Sequence, residues 1–197
     1  MLSPTEVTGL IRKQIKDPDV RVITRRNKGV DLGTISIGGL YDSDSDNSSE
    51  PCIEIYIIYH PDQMHFSLEN FNWGKVCFDI AEALGHETVH RQQHRRGFKA
   101  KHYFPSVARD HPDYDDQVYL GDTCEIEAYG YSIATELVCF HNSDIEKLEE
   151  SNILMWTTYT HVFANDQSIV LQLKKQVIKY LNKLKAVQDV KTTNTRL

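Results

Sequence analysis

Five residues near the middle of this 197-residue chain restrict it more than anything else: His86-Glu87-Thr88-Val89-His90. On a helix, four steps of about 100° return almost to the starting azimuth, so both imidazoles leave the same face. Two neutral imidazoles at that spacing can hold one Zn²⁺, and the carboxylate of Glu87 can then act as general base toward a water at the metal. The surroundings favour a helix over 78–96. Val76, Ile80, Ala83, Leu84 and Glu87 recur at helical spacing, Asn72 can cap the start, and Gly97 can end it. An amphipathic helix with surface or core histidines would carry the same letters, so the third ligand decides.

A catalytic zinc wants three protein ligands and one open position. The longer signature His-Glu-x-x-His-x-x-Gly-x-x-His is absent, because Gln93 and Arg96 occupy its last two fixed positions. His94 could share the face, but three successive turns diverge too far for comfortable ligation, and it reads better as a neighbour of the site. The stronger source is the helix foreseen over 123–141, with Glu125 and Glu127 near its start. Residues two apart on a helix point in nearly opposite directions, so only one can bind. Glu125 shares its face with the small residues Ala128 and Ser132 and is preferred. Glu127 is the alternative, and Glu125 could instead complete a capping box with Asp122.

His86-Glu87-Thr88-Val89-His90 followed by Glu125-Ile126-Glu127-Ala128-Tyr129 resembles the gluzincin class of zinc metallopeptidases. The segment Glu125-x-x-Ala128-x-x-Tyr131 further resembles the small ImmA/IrrE-type proteins and related minimal peptidases, many of them phage-encoded. The resemblance spans about 53–137, and only its first motif is specific. It implies a zincin-like fold and one Zn²⁺ per chain on His86, His90 and Glu125. It implies hydrolysis of a peptide bond in a protein or peptide substrate, with Glu87 as general base. The chain lacks the Asn-Glu-x-x-x-Ser-Asp segment of the thermolysin pattern and the helix-turn-helix that often accompanies ImmA/IrrE-type domains. Oxyanion or substrate contacts are expected among His102, Tyr103, Tyr119, Tyr129 and Tyr131. Two other readings compete. One is a zinc-binding regulatory or structural protein, with His94 or His102 as a fourth ligand; the other is a metal-dependent nuclease using the cationic stretch Arg91–Lys101.

The rest of the chain reads as one α+β domain, a small antiparallel sheet of about three strands packed on a helical core, with further helices toward the C-terminus. Ser3-Pro4-Thr5-Glu6 is a capping box opening a helix to about Lys16. Strands are expected over 20–24, 33–41 and 52–59, the last being the most apolar and, over 53–59, a candidate cleft strand beside which an extended substrate could lie. The acidic run Asp42–Glu50 opens like a calcium loop but has Asn47 where the obligatory Gly belongs, so it reads as a solvated, mobile hairpin tip. Positions 97–120 show no clear period and read as a rim or lid over the metal. Ser143-Asp144-Ile145-Glu146 reads as a second capping box, a last helix is expected over 168–184, and a frayed tail from 188.

A net charge of −6 argues against a general nucleic-acid binder. No apolar run reaches about 18 residues, and the N-terminal residues lack the basic-then-apolar layout of a secretory signal. Four cysteines at irregular spacing read as reduced, mostly buried thiols. These features lead to the expectation of an intracellular, cytoplasmic protein without a membrane partner.

Overall fold

The computed structural model describes residues 1–46, 50–67, 72–105, 107–150 and 152–194, the stretch from 188 as backbone only. The chain is α+β and divides into two compact units, Met1–Arg95 and Arg96–Leu197.

In the first unit, α1 (Pro4–Gln14) starts at the expected capping box. Ser3 Oγ accepts from the Glu6 amide at 3.3 Å, and Glu6 accepts from the Ser3 amide at 2.7 Å. Val7 and Ile11 carry its apolar stripe into the core. Three strands follow, β1 (Val20–Arg26), β2 (Ser36–Tyr41) and β3 (Ile53–Tyr59), in the order β1-β3-β2. β1 runs parallel to β3 and β2 antiparallel, so the sheet is mixed, where a wholly antiparallel one was expected. Composition explains the difference. A simple meander would put β2 in the middle, but β2 carries Gly38 and Gly39, whereas β3 offers Ile53, Ile55, Tyr56 and Ile57, all buried. Burial of each large apolar side chain contributes about 1.5–3 kcal/mol, so the richest strand takes the centre. With neighbours on both edges, β3 has no free edge for a substrate strand, which corrects that expectation.

The long helix α2 (Trp73–Arg95) packs on β2 and β3. Asn72 Oδ1 accepts from the Lys75 amide at 2.9 Å, and Gly97, at φ +64°, ends the helix, both as the sequence predicts. Val76 and Ile80 join Val7, Ile11, Val22, Ile57, Tyr59 and Phe66 in one cluster, while Ala83 and Leu84 cover Cys52, Ile53 and Ile55 in another.

The acidic segment after β2 is not a solvated tip at Asp46, whose side chain is only 2% exposed. Arg91 Nε donates to its Oδ1 at 2.7 Å, and Arg95 Nε to its Oδ2 at 2.9 Å. Arg91 also reaches Asp19, just before β1. Residues 47–49 lie outside the described residues.

The second unit is helical. The region expected as irregular contains α3 (Tyr114–Leu120), and α4 (Thr123–Phe140) follows it directly. Ser143 does not cap a helix. It stands at φ +58° and closes the end of α4 by donating to the Leu137 carbonyl, and Asp144 caps a short 3-10 turn, Ile145–Leu148. Then come α5 (Leu154–Val162) and α6 (Gln167–Asn194), whose helical backbone passes the point where a frayed tail was expected. The side chains of that tail lie outside the described residues. α4 packs along α6, with Ile133, Leu137, Leu173 and Val177 almost wholly buried. Of the four thiols only Cys52 is buried, while Cys77 and Cys139 are exposed. Among the described residues no helix is long and apolar enough to cross a membrane.

Candidate metal centre

The histidine turn of α2 brings two possible metal ligands together. His86 is buried and His90 half-buried, with rings edge to face and centroids 4.8 Å apart. Their Nε2 atoms face each other at 3.1 Å. Two nitrogens on one tetrahedral ion at 2.0–2.1 Å stand about 3.3 Å apart, so the pair lies close to ligating geometry. His90 Nδ1 lies 3.0 Å from Gln93 Oε1. An amide oxygen only accepts, so Nδ1 carries the proton and Nε2 presents its lone pair. Gln93 is itself buried. Sequence reasoning noted it only as a departure from a longer motif, although its position three residues after a metal-type histidine was the available signal.

Glu87, between the histidines in sequence, is also buried and lies against β2. A Cβ on Gly39 would stand 2.7 Å from both Glu87 Cγ and Glu87 Oε1. That position must therefore be glycine for the carboxylate to lie where it does. Nothing in the sequence paired Gly39 with Glu87, because the contact depends on sheet register.

In the second unit, Asp122 caps α4 by accepting from the Cys124 amide at 3.0 Å. The Asp122 amide, which a capping box would give to Glu125, donates instead to the Tyr119 carbonyl at 3.2 Å. Glu125 is buried, with Tyr119 and Tyr129 nearby. Partial burial, then Tyr129 and Glu125, push the Tyr119 hydroxyl upward from its usual pKa. Among the described residues, His86, His90 and Glu125 form a group that could hold a metal ion, their ligand atoms all within 4.8 Å of one another.

Other candidates are employed elsewhere. Glu127 accepts from Arg96 at 3.0 Å, Lys179 at 2.6 Å and the Tyr180 hydroxyl at 3.0 Å. His94 is exposed and lies against Tyr41, with ring centroids 6.0 Å apart. His102, also exposed, meets Asp122 through Nδ1 at 2.8 Å. Tyr103 donates to Asp166 at 2.8 Å, and its hydroxyl pKa is pushed up to about 12, chiefly by burial. Tyr131 packs edge-on to Tyr180. The arginines of the cationic stretch are largely spoken for, Arg91 and Arg95 by Asp46 and Arg96 by Glu127.

No family model, no curated protein and no solved structure matches this chain.

Proposed function

We propose that the chain is a zinc-dependent peptidase of the gluzincin type, holding one Zn²⁺ per chain on His86, His90 and Glu125. The observation that carries this reading is the pair of Nε2 atoms 3.1 Å apart, with Gln93 fixing the tautomer of one ring. Two imidazoles and a carboxylate suit a borderline-soft tetrahedral ion. Bound there, Zn²⁺ supplies Lewis-acid polarisation of a carbonyl and lowers the pKa of a water.

The chain's own residues do the rest. Glu87 accepts the proton of the attacking water and hands it to the departing amine nitrogen. Gly39 leaves room for the Glu87 side chain against β2. Tyr119 and Tyr129, near Glu125, are the donors best situated to stabilise the tetrahedral oxyanion, since Tyr103 and Tyr131 face Asp166 and Tyr180.

The test is digestion of a mixed peptide library, read by mass spectrometry, with the purified protein and its Glu87→Gln variant. New termini are expected from the first only, at equal zinc content. Loss of a general base costs about 10²–10⁴-fold in rate. Equal cleavage by the variant would remove Glu87 from its role, and no cleavage by either protein at full zinc loading would remove the peptidase reading.

A further inference from the structure

On the side of α4 away from Glu125, the second unit contains a cavity of about 440 Å³. Its wall includes Arg96, Lys99, Lys101, Lys175 and Lys179, with Glu127 as the single acid. Five cations around one carboxylate form a strongly positive spot on a chain whose net charge is −6. The charges are not equivalent. Glu127 is buried and takes up Arg96 and Lys179. Among the described residues, Lys99, Lys101 and Lys175 have no acidic partner, so three lysines of the wall carry charge without a counter-charge.

The cavity walls are fixed rather than loose. The Lys101 amide donates to Thr123 Oγ1 at 2.8 Å and its carbonyl accepts from the Thr123 amide at 3.3 Å, which ties the 98–104 segment to the start of α4. Two residues on, Tyr103 is anchored to Asp166. Opposite, Gln172, Lys175, Gln176 and Lys179 recur at helical spacing along one face of α6. Phe98, 41% exposed, adds an aromatic wall.

The chemistry selects the ligand. The planar fork of arginine suits carboxylate and phosphate alike, but the arginine of this wall, Arg96, is engaged by Glu127. The uncompensated groups are all lysines, compact point charges that suit the tetrahedral, doubly charged face of a phosphate. An aromatic ring beside them can stack on a flat base. A cavity of this volume lies within the 300–1,000 Å³ usual for small-molecule sites.

We propose that this cavity is a binding site for a mononucleotide, its phosphate held by Lys99, Lys101 and Lys175 and its base laid on Phe98. Because Glu127 and Glu125 leave α4 in opposite directions, the site is separate from the metal ligand and does not depend on the peptidase reading.

Calorimetric titration of the full chain with AMP tests it, with adenosine, inorganic phosphate, triglutamate and an oligothymidylate as comparators. Saturable AMP binding is expected, at least 10-fold tighter than adenosine or triglutamate. Lys99→Gln combined with Lys175→Gln should weaken AMP at least 10-fold with zinc content and thermal midpoint unchanged. Phe98→Ala should weaken AMP several-fold and leave inorganic phosphate unaffected. Absence of saturable AMP binding, or AMP binding indifferent to the two lysine changes, would overturn the proposal. Equal affinity for triglutamate would replace phosphate by carboxylate recognition. Much tighter oligothymidylate binding would replace the mononucleotide by a nucleic-acid strand.

Discussion

Two polar clusters sit on successive turns of α2 and are built on opposite principles. At Arg91 and Arg95 the cluster is closed. Asp46 supplies one buried carboxylate, two guanidiniums converge on it, and Arg91 Nη2 donates to Asp19. Charge and hydrogen bonds are satisfied within the chain. One turn earlier, His86 and His90 aim two Nε2 atoms at each other across 3.1 Å, and the group with which they converge, Glu125, is a further electron-pair donor. The first cluster is an ion-pair network within the chain; the second is a group that could hold a metal ion. The same contrast recurs on α4, where Glu127 is surrounded by two cations and a phenol, while Glu125 belongs to the histidine group.

The contrast breaks most sharply at Asp46. Asp46→Ala leaves Arg91, whose side chain is mostly buried, with Asp19 as its one remaining acidic partner, and removal of one member of a buried pair costs about 3–5 kcal/mol. Urea unfolding at pH 7 should show that loss with zinc content retained. The pH dependence carries a sign. Arg95 first, and then Arg91, hold the Asp46 carboxyl well below the usual carboxylate range. Its contribution is therefore full above the unfolded value of about 4 and is lost as pH falls below it. Asp46→Asn should flatten the stability curve between pH 4 and 2. A variant as stable as the parent at pH 7 would make this cluster ornamental.

The histidine turn should respond in affinity rather than in stability. Gln93→Ala removes the acceptor that fixes the His90 tautomer, and such second partners of a metal-binding histidine typically cost 10–100-fold in metal affinity. Competition with a chelator of known strength reads it. An unchanged zinc affinity would mean that the His90 ring is held by its packing alone.

A smaller effect is expected at Gly39. An added methyl must push the Glu87 carboxylate aside, because the side chain rather than backbone is what it meets. Gly39→Ala should cost about 1 kcal/mol, the low end for inserting a methyl into a packed site. Peptide hydrolysis should fall more than zinc binding. Equal loss of both would show that Gly39 supports the histidines, not the base.

What could be read in advance followed the range of the interactions. Local signals were legible: the Ser3–Glu6 box, the Asn72 cap, Gly97 as helix end, and two histidines on one face. Long-range ones were not. Strand order depends on which strand deserves the centre, and the Gly38-Gly39 pair in β2 was the overlooked clue. Asp46 was hidden because its partners lie 45 and 49 residues away, across the sheet-to-helix packing. α5 has three threonines and no side-chain cap; Trp156, Tyr159 and Val162 hold it through burial, which propensity does not report. Glu125 was preferred over Glu127 because it shares a helical face with the small residues Ala128 and Ser132. The partners of Glu127 on α6, which occupy that carboxylate, could not be foreseen.

The choice between those two carboxylates tests the account most directly. Zinc stoichiometry and affinity should be measured on the purified protein beside Glu125→Ala and Glu127→Ala, with His86→Ala as the reference for a lost ligand. The account predicts one zinc per chain in the parent, loss of stoichiometric zinc in Glu125→Ala as in His86→Ala, and retention in Glu127→Ala with lowered stability. Full zinc occupancy in Glu125→Ala, or zinc lost from Glu127→Ala alone, would contradict it.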